Sequence, residues 1–365
     1  MKPLIQLKPT IPVFPVALLL ACFVFFPSAK AVIPAPDGGY PGGNTAEGQS
    51  ALFGLTTGGY NTAVGLLSLR SNTTSSFNTA LGAGALLANT ADNNTATGAG
   101  ALLSDSTGSD NTANGVFALF FNTASGNTAV GSRALLNNTT GGTLETVQGL
   151  DVGPNIAVGE EALESNTVAS ANTAVGYQAL HNFTSGPPGF EHAGLCTAVG
   201  FQALANAAPA CFTNSAFGYQ ALVNNTAGDS NTAIGTIALR NCTTGGGNTA
   251  LGTAAGGGVT TASGVICIGS NVQGENVDNG CYIGNISGSP LPDGVAVVIN
   301  SQERLGVITS SRRFKDDIEP MKEASEALFS LKPVSFRYNK EIDAASRSQF
   351  GLVAEDVEKV NPVKL

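Results

Sequence analysis

Between the start of the chain and residue 305, few side chains are equipped for chemistry. They are six cysteines, two histidines (His181 and His192) and one local group of carboxylates, Glu160, Glu161 and Glu164. Each set suggests a different reaction. Glycoside hydrolysis needs two carboxylates roughly 5–10 Å apart, and the sequence supplies no clear partner for this group. His181 and His192 with Cys196 and Cys211 could be drawn as a zinc site, but no CxxC or HxxxH spacing supports it. No metal and no cofactor is expected. The cysteines after Cys22 are Cys196, Cys211, Cys242, Cys267 and Cys281; their odd number leaves at least one unpaired within a chain. Cys196 and Cys211 bracket an irregular stretch and form the best candidate disulfide, provided the protein is exported.

The N-terminus predicts export. Lys2 and Lys8 precede an apolar run from Val13 to Phe26, and Ala29-Lys30-Ala31 offers a small-x-small cleavage site before Val32. That run is shorter than the roughly 20 residues a spanning helix requires, so residues 1–31 are expected to be removed, leaving no membrane span. Leu19-Leu20-Ala21-Cys22 resembles a lipoprotein box, but the apolar run continues past it and simple secretion is the preferred reading. The product is expected in the medium or at the cell surface.

Charge divides the remainder. Val32–Leu305 contains four Arg, no Lys and sixteen Asp or Glu, whereas Gly306–Leu365 contains ten basic and ten acidic residues. The first part must stay soluble through Asn, Thr and Ser; the second has a conventional ionic surface. With a net charge of −9 and 12% charged residues, the chain is no polybasic nucleic-acid binder. Its 46 Gly follow no Gly-X-Y triplet, which excludes collagen. The predicted organisation is signal peptide 1–31, linker 32–43, repeat domain 44–305 and C-terminal module 306–365.

The repeat that must position these side chains begins at Asn44-Thr45-Ala46-Glu47-Gly48. It recurs with its Gly at 65, 82, 98, 115, 131, 159, 176, 200, 218, 235, 252, 269 and 284. Most units are 16 or 17 residues long, too short for a helical hairpin. Apolar residues return at fixed places, which a low-complexity linker would not maintain. Stacked units of this kind bury a common core that none could bury alone. The fold class is therefore mainly β: a parallel β-roll or β-solenoid of about 14 short coils, each expected to contain two short strands. Stacked Asn and Thr are expected to form side-chain ladders. Longer units between Gly131 and Gly159 and between Gly176 and Gly200 are expected to form loops on one face.

These units resemble the head repeats of trimeric autotransporter adhesins, left-handed parallel β-rolls in which three chains pack together, although the period here is longer. The resemblance implies a homotrimer. Leu66, Leu86, Leu102, Leu135, Leu180, Leu204, Leu222 and Leu239 are then expected to line an interchain seam as well as the core.

From Gly306 the pattern changes. Ile318, Met321, Ala324, Ala327, Leu328 and Leu331 keep a helical period, Pro333–Tyr338 predicts a strand, and Gln349–Ala354 predicts a second strand leading into Glu355–Val360. This is a small α/β module. Ser310-Ser311-Arg312-Arg313-Phe314-Lys315-Asp316-Asp317-Ile318, then Leu331–Tyr338, then Gly351–Pro362 resemble, in that order, the intramolecular chaperone auto-processing domain of phage tail-spike endosialidases and other fibre proteins. The resemblance covers about residues 306–362, and the module is expected to be a truncated version of the family domain. It implies that the module helps three chains trimerise and then cuts itself off. By position, Ser310 would be the nucleophile and Lys315 the base, with scission between Thr309 and Ser310. A Ser hydroxyl needs such a base, and Lys serves only when burial or nearby cations lower its pKa. Arg312 and Arg313 could supply those cations, and proximity within one chain replaces substrate binding.

The function expected is that of an exported, homotrimeric, adhesin-like fibre with a self-releasing chaperone, meeting a surface glycan or host surface. The alternative is a secreted polysaccharide-active solenoid enzyme of tail-spike type. No turnover of other substrates by the Ser-Lys dyad is expected.

Overall fold

The computed structural model describes residues 40–142, 145–147, 150–185, 194–209, 211–287, 297–307, 316–320, 329–337, 346 and 348–360. The chain divides into two units, 1–289 and 290–365.

The first unit is a parallel β-solenoid. Each repeat places Thr-Ala-x, or its equivalent, in a three-residue strand. The first six are β1 (Thr45–Glu47), β2 (Thr62–Val64), β3 (Thr79–Leu81), β4 (Thr95–Thr97), β5 (Thr112–Asn114) and β6 (Thr128–Val130). A hairpin follows, β7 (Glu145–Val147) and β8 (Leu150–Val152). Eight more coils contribute β9 (Ile156–Val158), β10 (Thr173–Val175), β11 (Thr197–Val199), β12 (Ser215–Phe217), β13 (Thr232–Ile234), β14 (Thr249–Leu251), β15 (Ile266–Ile268) and β16 (Cys281–Ile283). All but the hairpin lie in one 14-stranded sheet. Register is constant: Ala63 pairs with Ala80, Ala80 with Ala96 and Ala96 with Ala113. The alternation of a strand turns these alanines inward, where they are fully buried.

The opposite wall differs from expectation. In place of a second strand, the first twelve coils have a turn whose second and fourth residues after the strand Gly adopt the left-handed region, as in Leu67 (φ 60°) and Leu69 (φ 48°). A leucine in that region costs about 1–2 kcal/mol. Leu69, Leu86, Leu102, Leu119 and Leu135 nevertheless repeat it and are wholly buried. Burial of a Leu contributes about 1.5–3 kcal/mol, roughly cancelling the backbone strain. The turn also aims each Leu N–H at the next coil's Ala carbonyl: Leu69 to Ala85, Leu86 to Ala101 and Leu102 to Ala118, each at 3.0 Å. Coils are thus bonded on both walls although one wall alone is sheet. These buried leucines belong to the chain's own core; of the eight expected to line a seam, Leu66 alone is exposed, and seven are buried.

Asparagine closes the corner before eleven of the fourteen solenoid strands, with Cys196, Val265 and Gly280 in its place before β11, β15 and β16. Asn61 Oδ1 accepts the Asn78 N–H at 3.0 Å, and Asn61 Nδ2 donates to the Ser75 carbonyl at 2.9 Å. The same clasp recurs at Asn94, which accepts from Asn111 and donates to Gly108, and at Asn231, which accepts from Asn248 and donates to Gly245. A planar amide is needed because one end accepts while the other donates. A Thr ladder runs alongside, with the Thr107 hydroxyl donating to the Thr123 carbonyl and Thr123 to Thr139, both at 3.1 Å.

The first long unit leaves the solenoid intact: β6 pairs directly with β9, and the extra residues form the β7–β8 hairpin rather than an irregular loop. The second insertion, with Gly186-Pro187-Pro188-Gly189, lies outside the described residues.

The second unit contains the antiparallel pairs β17 (Val297–Ile299) with β18 (Leu305–Val307) and β19 (Val334–Phe336) with β20 (Gln349–Gly351), then helix α1 (Ala354–Val360). The strand pair and following helix match the expected end of the module; most of the helix expected around 318–331 lies outside the described residues. Among the described residues of this unit none is buried. Among the described residues, no helix is long and apolar enough to cross a membrane.

Candidate functional site

Constant register brings together residues far apart in sequence. Arg133, Glu161, Gln178, Gln202 and Gln220 each stand two residues after the strand Gly of their coil, so they stack in one column. Backbone bonds lock the spacing, from Glu161 N–H to Ser132 at 2.9 Å and from Gln178 N–H to Glu160 at 3.0 Å. The side chains continue it: Gln178 Nε2 donates to Glu161 Oε2 at 2.7 Å, Gln202 Nε2 to Gln178 Oε1 and Gln220 Nε2 to Gln202 Oε1, both at 2.8 Å. A neighbouring column holds Glu164 and His181. One residue before the glutamines stand Tyr177, Phe201 and Tyr219, stacked at 5.2 and 5.3 Å and partly exposed.

Arg133 binds both acidic side chains. Its Nη1 lies 2.9 Å from Glu161 Oε1, and its Nε donates to Glu164 Oε1 at 3.0 Å, with Nη2 on the same oxygen. The hydrogen bond and charge of Glu164, aided by the charges of Glu161 and Glu160, push the guanidinium pKa further up. On the far side, His181 Nε2 lies 2.9 Å from Glu164 Oε2 and 3.5 Å from Glu161 Oε2. Glu164 is buried, while Glu161 and His181 are partly open to solvent. One donor atom from each of Glu161, Glu164 and His181 falls within 4.8 Å of the others.

The acidic group, for which the sequence offered no second catalytic carboxylate, is held instead by Arg133, Gln178 and His181. The missing signal was offset within the coil rather than distance along the chain: Arg133 and Glu161 are separated by the hairpin insertion yet share the same position after their Gly.

The other expected site residues fare differently. Thr309, Ser310 and Lys315 lie outside the described residues, as does His192. Cys196 and Cys211 are buried free thiols, with Cys196 Sγ donating to the Cys211 carbonyl at 3.6 Å. Cys211 Sγ accepts from Asn225 Nδ2 at 2.8 Å and from Asn214 Nδ2 at 3.2 Å. Burial pushes the Cys196 thiol up to about 12 and raises that of Cys211 as well, so neither is a ready nucleophile at neutral pH.

The motif order from Ser310 onward falls within one match to a known family. Residues 310–364 match the peptidase family described as the chaperone of endosialidase. No curated protein matches the chain. A β-solenoid of stacked coils followed in sequence by an endosialidase-chaperone segment is a tail-spike-like or fibre-like architecture.

Proposed function

We propose that the protein is an exported homotrimeric fibre of adhesin-like type, whose C-terminal segment acts as an intramolecular chaperone for trimer formation. The observation that carries this reading is the match of residues 310–364 to the chaperone of endosialidase. The exposed apolar surface of the second unit supports it. Val297, Ile299 and Leu305 on the β17–β18 hairpin are 61%, 64% and 67% exposed, and Phe329 and Phe350 are 89% and 85% exposed. A segment with this much apolar surface and no buried residue among those described gains its core by association with copies of itself.

After assembly, the chaperone releases itself by scission between Thr309 and Ser310: the Ser310 hydroxyl attacks the Thr309 carbonyl and gives its proton to Lys315, which returns a proton to the departing Ser310 amine, and water then hydrolyses the Thr309–Ser310 ester to a free carboxylate and the restored hydroxyl. The freed solenoid is presented outside the cell, at a surface where it meets a glycan or host surface.

The test compares purified wild type with Ser310→Ala and Lys315→Ala on denaturing gels, with and without boiling. A boiling-sensitive trimer band and a released 310–365 fragment in wild type alone support the reading. Uncut monomer in every sample overturns it; an intact trimer with no cleavage retains the chaperone and removes the protease.

A further inference from the structure

We propose that Glu161, Glu164 and His181 form a zinc-type divalent metal site on the turn wall of the solenoid, independent of the C-terminal segment. The three groups arrive from two consecutive coils, and their facing atoms are Glu161 Oε2, Glu164 Oε2 and His181 Nε2. Nitrogen-to-oxygen separations of 2.9 and 3.5 Å bracket roughly 3.3 Å, the edge of a tetrahedron whose metal bonds are about 2.0 Å. A fourth position faces the solvent that reaches His181 and Glu161.

What surrounds these atoms is the outer support that metal ligands require. The other oxygen of each carboxylate is held by Arg133, leaving both Oε2 atoms turned to the ring. Gln178 Nε2 donates to Glu161 Oε2 and fixes its direction. The other ring nitrogen, His181 Nδ1, lies 2.9 Å from Asn182 Oδ1, and Asn182 spends its Nδ2 on Asn206 Oδ1 at 3.1 Å. With Asn182 Oδ1 beside Nδ1, the tautomer that carries its hydrogen on Nδ1 leaves the Nε2 lone pair facing the two carboxylate oxygens, as a metal ligand requires. In that tautomer three lone pairs converge on one half-buried point, and a metal ion placed there is held by all three.

Charge and ligand chemistry favour the metal. Two carboxylates against one guanidinium leave one negative charge, and imidazole with carboxylate oxygens is a ligand set suited to zinc and its neighbours. Coordination would also clamp the coil after the hairpin insertion to the coil before the second insertion, the two places where the repeat length departs most from its period.

The experiment uses the tag-free full chain carrying Cys281→Ser, which removes the one exposed thiol among the described residues. After chelator treatment it is titrated with Zn2+ at pH 8 by calorimetry, and with Co2+ by visible absorption. One Zn2+ per chain, at least ten-fold weaker binding in His181→Gln and in Glu161→Gln, and an intense Co2+ band lost in both variants are expected. Far-UV circular dichroism checks that the variants fold. Zn2+ should raise the melting temperature of the parent chain and leave that of His181→Gln unmoved, a readout that survives a weakened fold. Failure to bind Zn2+, or binding that both variants retain in full, overturns the site.

Discussion

Asp105 Oδ1 accepts the backbone N–H of Gly108 at 2.9 Å, a carboxylate in a column that Asn89 and Asn122 occupy in the coils on either side. Burial pushes the Asp105 pKa up to about 7, against hydrogen bonds from Gly108 and Asn111 that pull it down. The unfolded carboxyl titrates near about 3.9. Between those values the folded chain holds a proton that the unfolded chain has released, so stability falls as pH rises from about 4 to about 7 and is level above. Asp105→Asn should abolish that slope and raise the melting temperature at pH 8, with about 4 kcal/mol as the ceiling. Asn225 shows the fit, since its Oδ1 accepts from Gly228 N–H at 3.0 Å and its Nδ2 donates to the Gly228 carbonyl at 2.7 Å. Melting curves of both proteins at pH 4.5, 6 and 8 decide it; parallel pH profiles would rule out Asp105 as the source.

Gly115 has a φ of 149°, and a Cβ there would lie 2.2 Å from the Gly131 carbonyl oxygen. The contact is with backbone of the next coil, which cannot move without breaking the strand register. Gly115→Ala should destabilise the solenoid by more than about 2 kcal/mol. Gly306→Ala, where nothing lies within 4 Å, should change stability by less than about 0.5 kcal/mol. Urea unfolding of the two variants measures the difference, and equal midpoints would refute the close-stacking account.

The repeat made the sheet legible because Gly spacing, alternation around Ala and the Asn-Thr corner are local signals with a fixed period. The second wall was harder to foresee. Ala-Leu after a glycine suggests a strand, but Leu69 and its equivalents sit at positive φ, a cost visible only when the hydrogen bond to the next coil is known. The Arg133–Glu161–Glu164–His181 cluster was legible in principle, through position within the coil. The hairpin at β7–β8 concealed it by shifting the count. Ser310 and Lys315 were legible only through the motif order, which falls within the family match over 310–364.

Cys196 interrupts the asparagine ladder. It occupies the corner position of Asn172 and Asn214, and its N–H still bonds Asn172 Oδ1, at 3.2 Å. Its thiol reaches the Cys211 carbonyl only at 3.6 Å, where an amide would reach the equivalent carbonyl near the 2.8 Å seen from Asn155 to Ala169. A thiol is a weak donor and a weak acceptor. Cys196→Asn should therefore raise stability by about 1 kcal/mol, observed as a higher melting temperature under reducing conditions. A lower one would mean that the corner is too tightly packed for the longer side chain.

The outward residues of the last five solenoid strands, Phe217, Ile234, Leu251, Ile268 and Ile283, are 39%, 42%, 47%, 37% and 41% exposed. Register aligns them, Phe217 with Ile234, Ile234 with Leu251, Leu251 with Ile268 and Ile268 with Ile283. At about 4.8 Å per strand, they form a continuous apolar stripe, whereas the equivalent positions in β4 and β5 are Thr97 and Asn114. Since the core leucines are spent within the chain, this stripe is the surface on which the solenoids of the proposed trimer should meet. Ile234→Asp with Leu251→Asp places two charges per chain at that seam, where burial without partners is strongly unfavourable. Once the 310–365 segment has been released, the double variant should sediment as a monomer while its far-UV circular dichroism stays that of the parent, because neither side chain belongs to the alanine-leucine core. Leu66→Asp, on an exposed turn position, should leave the trimer intact. A double variant that remains trimeric would move the seam off the sheet and onto the second unit alone.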